Sequence, residues 1–362
     1  MLRYVATVAN MASTDRWADR RIARVGLSVA PEATSTALPA GTWYLLPTAF
    51  DASGALDLAS QRELVDAAID WGVDGITVMG VMSEPTTLTD HERHAVLVSI
   101  FETVAGRVPV VVGSSGSSTS IVLERIAEAK TLGAVAAMVA APTLLRNVDL
   151  LPEFFGALRR LGGLPIVLQD EPAATGVAIP ASVLLVCAAA AGTRSIKVED
   201  PPTPTKIGRL RAIDPSLVLF GGLGGVAALA EMGRGAAGTM TGFAYPEVMR
   251  AVRQCLEQER TSEAAAIFDR FLPLIVFEAQ VQVGLLVRKE VLRRRGVLRH
   301  SRTRGLVSHI DEVTSTELDD VFTRVRVRPS REALNLSPGT PSAASADDAT
   351  RGQWTPTDGG AR

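Results

Sequence analysis

TSIVLERIAEAKTLGAVAAMVA, residues 119–140, carries in one stretch the unit from which the fold is read. Val122, Ile126, Ala129 and Leu132 recur at the spacing that lines one face of an α-helix. Leu132-Gly133-Ala134 interrupts that stripe with small residues, and Ala136–Ala140 follows as an unbroken apolar run of strand length. Such a run suits a parallel strand covered on its outer face. The same succession extends in both directions. Strand-like runs fall at 43–46, 75–79, 108–112, 136–140, 165–168, 194–198, 217–220 and 238–241, with helical spacing between them, as in Leu64, Ala67, Ala68 and Trp71. A period of about 20–35 residues per unit is that of βα repeats. Eight units in about 200 residues predict a closed (β/α)8 TIM barrel rather than an open sheet. The dinucleotide-binding turn Gly-x-Gly-x-x-Gly is absent after the first strand, where Pro47-Thr48-Ala49-Phe50 stands instead.

Outside the barrel, expected over residues 39–244, the spacing predicts helices over 245–259, 262–277 and 284–295, within a C-terminal helical region ending near 325. Residues 1–38 and 326–362 lack sustained periodicity and read as disordered tails. The 362 residues are 47% hydrophobic and 21% charged with a net charge of −2, which gives no electrostatic case for nucleic acid or an anionic membrane. No apolar run reaches membrane-spanning length, and Arg20-Arg21 is not followed by an export-type apolar segment. Cys187 and Cys255 sit in apolar or helical surroundings and read as buried thiols in a cytoplasmic protein.

Catalytic groups of this fold come from the C-terminal ends of its strands. Only four of the 37 basic residues are lysine, namely Lys130, Lys197, Lys206 and Lys289. Lys197 stands in the apolar frame Ser195-Ile196-Lys197-Val198, where an amine can lose its proton and attack a carbonyl. A structural ion pair with Glu199, Asp200 or Asp170 is the alternative. The run Gly221-Gly222-Leu223-Gly224-Gly225 fits phosphate or close packing equally. His91, His94, His300 and His309 form no metal-ligand pattern, and no metal is expected. Arg293-Arg294-Arg295 reads as a solvated helix end.

Pro47-Thr48-Ala49-Phe50, Gly80-Val81-Met82-Ser83-Glu84, Val112-Gly113-Ser114-Ser115, the Pro165–Gly176 segment and Ser195-Ile196-Lys197 stand in order and at matching spacing. Over about residues 42–300 this pattern resembles the dihydrodipicolinate synthase / N-acetylneuraminate lyase family of pyruvate-using class I aldolases. The resemblance implies that Lys197 forms an imine with a 2-oxo acid such as pyruvate. It also implies a lyase without a cofactor, an aldehyde co-substrate, and a homotetramer or homodimer. Thr48, Val81, Met82, Ser83, Gly222 and Thr241 are the expected substrate-binding positions, with the backbone N–H groups of Val81–Ser83 holding the carboxylate. Departures are equally specific. The family's proton-relaying tyrosine falls on Gln169, its carboxylate-clamping arginine on Ala174, its paired hydroxyls on Val81 and Met82, and its interface tyrosine near Thr143 or Leu144. These point away from a lysine-pathway synthase. An amide cannot act as acid or base, so Glu171, past the strand end and free to turn inward, is the expected replacement. Asp170 should point away from the pocket. The competing readings are a ligand-binding or regulatory protein on the same scaffold and, from the glycine run alone, a phosphate-binding isomerase.

Overall fold

The computed structural model describes residues 37–143, 145–305 and 308–336. Arg20-Arg21, Leu144 and most of both expected tails lie outside the described residues. Eight parallel strands close into a barrel in chain order: β1 Gly41–Leu45, β2 Gly75–Val78, β3 Val110–Gly113, β4 Ala136–Ala140, β5 Ile166–Asp170, β6 Ser195–Val198, β7 Val218–Gly221 and β8 Gly238–Thr241. Eight helices lie between them: α1 Leu58–Asp70, α2 Asp90–Val104, α3 Thr119–Leu132, α4 Leu151–Gly162, the single turn α5 Pro172–Thr175, α6 Ala181–Ala191, α7 Thr203–Ile213 and α8 Ala228–Gly233. After β8 come α9 Pro246–Glu257, α10 Thr261–Glu278, α11 Gly284–Arg294 and α12 Glu312–Arg324. The last of these was not among the helices expected from spacing.

Local chemistry sets the boundaries. Ser118 caps α3 by accepting from the Ile121 N–H, and Gly133 ends it at φ 96°, a conformation that disfavours a Cβ. Thr89 and Glu92 form a reciprocal capping box on α2. Alternate strand residues then divide between two cores. Trp43, Val111, Met138, Val167, Phe220 and Met240 fill the barrel. Trp43 meets Phe220 edge to face at 6.4 Å, and a Cβ on Gly75 would stand 2.4 Å from its ring.

Leu38, expected in the N-terminal tail, belongs to this inner core, and its N–H donates to Ser195 Oγ at 2.8 Å. Residues 326–336, expected as tail, also pack. Trp71 Nε1 donates to the Arg331 carbonyl at 2.7 Å, and Leu334 and Leu336 lie against the outer core. Arg295 is not solvated as expected. Its guanidinium lies between the rings of Trp71 and Tyr245, at 3.8 and 4.1 Å, and bonds Glu247 at 2.8 Å. Two aromatic faces and a carboxylate make burial of that cation tolerable. Among the described residues no helix is long and apolar enough to cross a membrane.

Candidate active site

Lys197 and Gln169 are register partners on β6 and β5, so both point the same way. Val167, two residues before Gln169, lies in the inner core, which directs Gln169 and Lys197 into the barrel. Both are almost completely buried. Glu199, two residues beyond Lys197, returns to the same side, and its Oε2 stands 3.0 Å from Lys197 Nζ. Gln169 Nε2 donates to that oxygen at 2.8 Å and to Glu171 Oε2 at 3.4 Å. One amide thus bridges two carboxyl groups beside one amine. Burial, then the charge of Glu199, pushes the Glu171 carboxyl up to about 7, against the opposing pull of Lys197.

The second Glu199 oxygen accepts the Leu223 N–H at 3.2 Å. Leu223 has φ 42°, a left-handed conformation uncommon for a side-chain-bearing residue, and it aims this amide into the site. Gly222 makes room: a Cβ there would stand 2.2 Å from Glu199 Oε1. Gly221 does the same on the outer face, where a Cβ would collide with Glu231 Oε2. The glycine run is therefore occupied by two carboxyl groups, an arrangement that repels phosphate. Gly222, expected to bind substrate, instead seats Glu199.

Of the three acids considered as partners for Lys197, only Glu199 takes that place. Lys206 holds the other two, at 2.6 Å from Asp170 Oδ2 and 2.8 Å from Asp200 Oδ2, and also donates to the Ile179 carbonyl at 2.6 Å. Asp170 points out of the barrel, and burial pushes its carboxyl up to about 6 in spite of Lys206. Glu231 accepts from Thr203 Oγ1, and burial raises it to about 7.

The remaining expected binding residues divide. Val81 is exposed at the barrel mouth and Met82 half-buried. The Ser83 N–H already donates to the Gly80 carbonyl at 2.8 Å, and its hydroxyl donates to the Leu46 carbonyl at 2.7 Å. Ser83 therefore has neither group free for a carboxylate. Thr48 Oγ1 donates to the Ser83 carbonyl at 2.6 Å, so it fixes the turn that bears Val81 and Met82. Thr241 is paired in register with Tyr44, whose ring belongs to the outer core. It faces the helices, and it is Gly242 that holds the inward register. Thr143 and Ala174 are both exposed. The ion pair with Glu199 that the sequence offers as an alternative for Lys197 does form, because the two-residue offset between them places both on one face.

A sequence profile described as the Dihydrodipicolinate synthetase family matches residues 39–324. The chain is 33% identical over 292 residues to an L-2-keto-3-deoxyarabonate dehydratase from Azospirillum brasilense, covering 79% of this chain and 94% of that protein. It is 29% identical over 299 residues to a 4-hydroxy-tetrahydrodipicolinate synthase from Porphyromonas gingivalis, covering 80% and 98%. The crystal structure of dihydrodipicolinate synthase from Rhodopseudomonas palustris superposes with a TM-score of 0.74 at 30% identity, covering 81% of this chain and 99% of that one. The barrel, the buried strand-end lysine and these matches place the chain in the dihydrodipicolinate synthetase family of Schiff-base lyases.

Proposed function

We propose that the protein is a hydro-lyase, removing water from a 2-oxo acid that carries CH₂ at C3 and a hydroxyl at C4. The observation that supports this reading is the Glu171–Gln169–Glu199 bridge beside Lys197, with an amide at the relay position and a carboxyl titrating near neutrality next to an ion-paired one. A carboxyl pushed up to about 7 beside a second carboxyl that bonds the amine gives the site an acid and a base for one turnover.

Lys197 Nζ gives up a proton to Glu199 and attacks the C2 ketone; Glu199 passes that proton to the carbinolamine hydroxyl, which leaves as water, so that a protonated imine and the Glu199 carboxylate remain. C3 is one bond from C2 and so within reach of Glu199, whose carboxylate takes a C3 proton while the electron pair moves to the imine nitrogen. The enamine returns that pair, forms the C3–C4 double bond and expels the C4 hydroxyl, which leaves as water with the Glu171 proton. Hydrolysis of the unsaturated imine restores the amine, and solvent returns a proton from Glu199 to Glu171. Gln169 moves no proton; its NH₂ fixes the spacing of the two carboxyl groups. Similarity to a protein named L-2-keto-3-deoxyarabonate dehydratase supports this substrate class, and the proposed reaction uses no aldehyde co-substrate.

The test is incubation with 3-deoxy-2-oxo aldonic acids of five and six carbons, followed by mass spectrometry of the small molecules. Loss of one water, absent in Lys197→Arg, is the expected result. Cleavage to pyruvate and an aldehyde without dehydration would replace this reading with an aldolase.

A further inference from the structure

The site described so far is acidic on one side. Glu171, Glu199 and the bridging Gln169 come from β5 and β6, and strands β1 and β2 stand across the barrel from them. A 2-oxo acid bound at Lys197 must keep its own carboxylate away from that half. On the opposite rim, α11 delivers Arg288, which is almost entirely buried. A Cβ on Gly242, the inward-facing residue after β8, would stand 3.5 Å from Arg288 Nη1 and 3.6 Å from its Cδ. A Cβ on Gly224 would stand 3.4 Å from Nη2. These are ordinary contact distances, so the guanidinium lies against both glycines at the mouth.

Its partners are uneven. Nε donates to Glu278 Oε2 at 3.0 Å, and Nη2 reaches the Glu278 carbonyl at 3.4 Å. Glu278 also accepts the Ala244 N–H at 3.1 Å, which ties the pair to the exit of β8. Among the described residues, the hydrogen-bond partner of Nη1 is the thioether of Met82, at 2.9 Å. Sulfur is a weak acceptor, and an unbranched methionine can swing aside at little cost.

We propose that Arg288 is the anion-binding residue of the site: its Nη1 edge takes the carboxylate of the 2-oxo acid once Met82 yields, while Glu278 positions the guanidinium. The inference rests on the reading of Lys197 as the imine-forming amine. It sets the direction of the bound substrate, with C1 toward the β8–β2 rim and C3 and C4 toward Glu199 and Glu171. It also answers the loss of the Ser83 N–H and hydroxyl to backbone carbonyls.

The test compares borohydride trapping of pyruvate with that of methyl pyruvate, which keeps the ketone and lacks the charge. In Arg288→Gln the half-saturating pyruvate concentration should rise roughly 10- to 100-fold, as for loss of one charge-assisted hydrogen bond, with methyl pyruvate trapping unchanged. Arg288→Lys should recover part of the pyruvate affinity. The Glu278→Gln/Arg288→Gln double variant leaves no orphaned buried charge and should show the same selectivity, which keeps the comparison readable if the single variant folds poorly. Equal effects on both ketones, or none on either, would overturn the assignment of Arg288. Failure of the unaltered protein to trap either ketone would instead remove the reading of Lys197, and this inference with it.

Discussion

Gly222→Ala is a small change with a large expected consequence. The added methyl carbon would stand 2.2 Å from Glu199 Oε1, 2.5 Å from its Cδ and 2.6 Å from its Cγ. Ordinary contact between such atoms begins near 3.4 Å, so the carboxyl must move by about 1 Å. It is held at 3.0 Å by Lys197, 2.8 Å by Gln169 and 3.2 Å by the Leu223 N–H, and a displacement of that size breaks at least two of the three. Misplacing a reacting group by about 1 Å costs on the order of 100-fold in rate, and overpacking costs about 1–3 kcal/mol of stability. Gly221→Ala is the matched control. Its methyl would strike Glu231 on the outer face, so it should cost similar stability but leave imine trapping at Lys197 within a few-fold of the parent. The assays are thermal unfolding and kcat/KM for dehydration, with the borohydride trapping rate measured on both variants. Full activity in folded Gly222→Ala would refute the positioning of Glu199 and its place in the chemistry.

Three other outcomes follow from the buried charges. With Glu171 raised to about 7 and acting as the acid, kcat/KM should fall tenfold per pH unit above about pH 7. Glu171→Gln should lose that limb together with about 10²–10⁴ of the rate; an unaltered pH–rate profile would remove Glu171 from the mechanism. Glu231 binds its proton more tightly folded, near 7, than at its ordinary value of 4.5. Its stabilising contribution is therefore complete below about pH 4.5 and lost as pH rises through 7, on the order of 3 kcal/mol. Glu231→Gln should raise the melting temperature at pH 8 and leave it nearly unchanged at pH 4.5, and an equal shift at both would contradict this account. Lys206→Met strands Asp170 in a buried site and should destabilise by about 3–5 kcal/mol. Asp170 sits at about 6 even with Lys206 lowering it, and losing Lys206 raises it further, so Asp170 takes up a proton at pH 5; the loss should be smaller at pH 5 than at pH 8 by urea unfolding, with trapping at Lys197 retained in the folded fraction.

The barrel was legible because each strand is a short apolar run and each helix carries its own stripe, both visible within about 20 residues. Lys197 was legible because lysine is rare in this chain and the run around it is apolar. Strand alternation correctly sent Asp170 away from the pocket. Other features depend on contacts between distant segments. Arg288 looks like one of many surface arginines until α11 is folded over Gly242. Arg295 reads as a solvated cap until Trp71 and Tyr245, far apart in sequence, close on its two faces. The glycine run misled because glycine records only that space is needed, and here the space is filled by Glu199 and Glu231. Ser83 misled for a related reason, since its hydroxyl and N–H are consumed by the turn that Thr48 holds in place. Thr241 lost its expected role through register, being one residue out of phase with the inward face of β8.

The proposed chemistry depends above all on Lys197 as the amine that forms the imine. Incubation with pyruvate and borohydride, followed by intact mass and peptide mapping, tests it directly. One reduced pyruvate per chain on the peptide containing Lys197, absent in Lys197→Arg, is the predicted result. An adduct on Lys206 or Lys289 instead, or none with any 2-oxo acid, would contradict it.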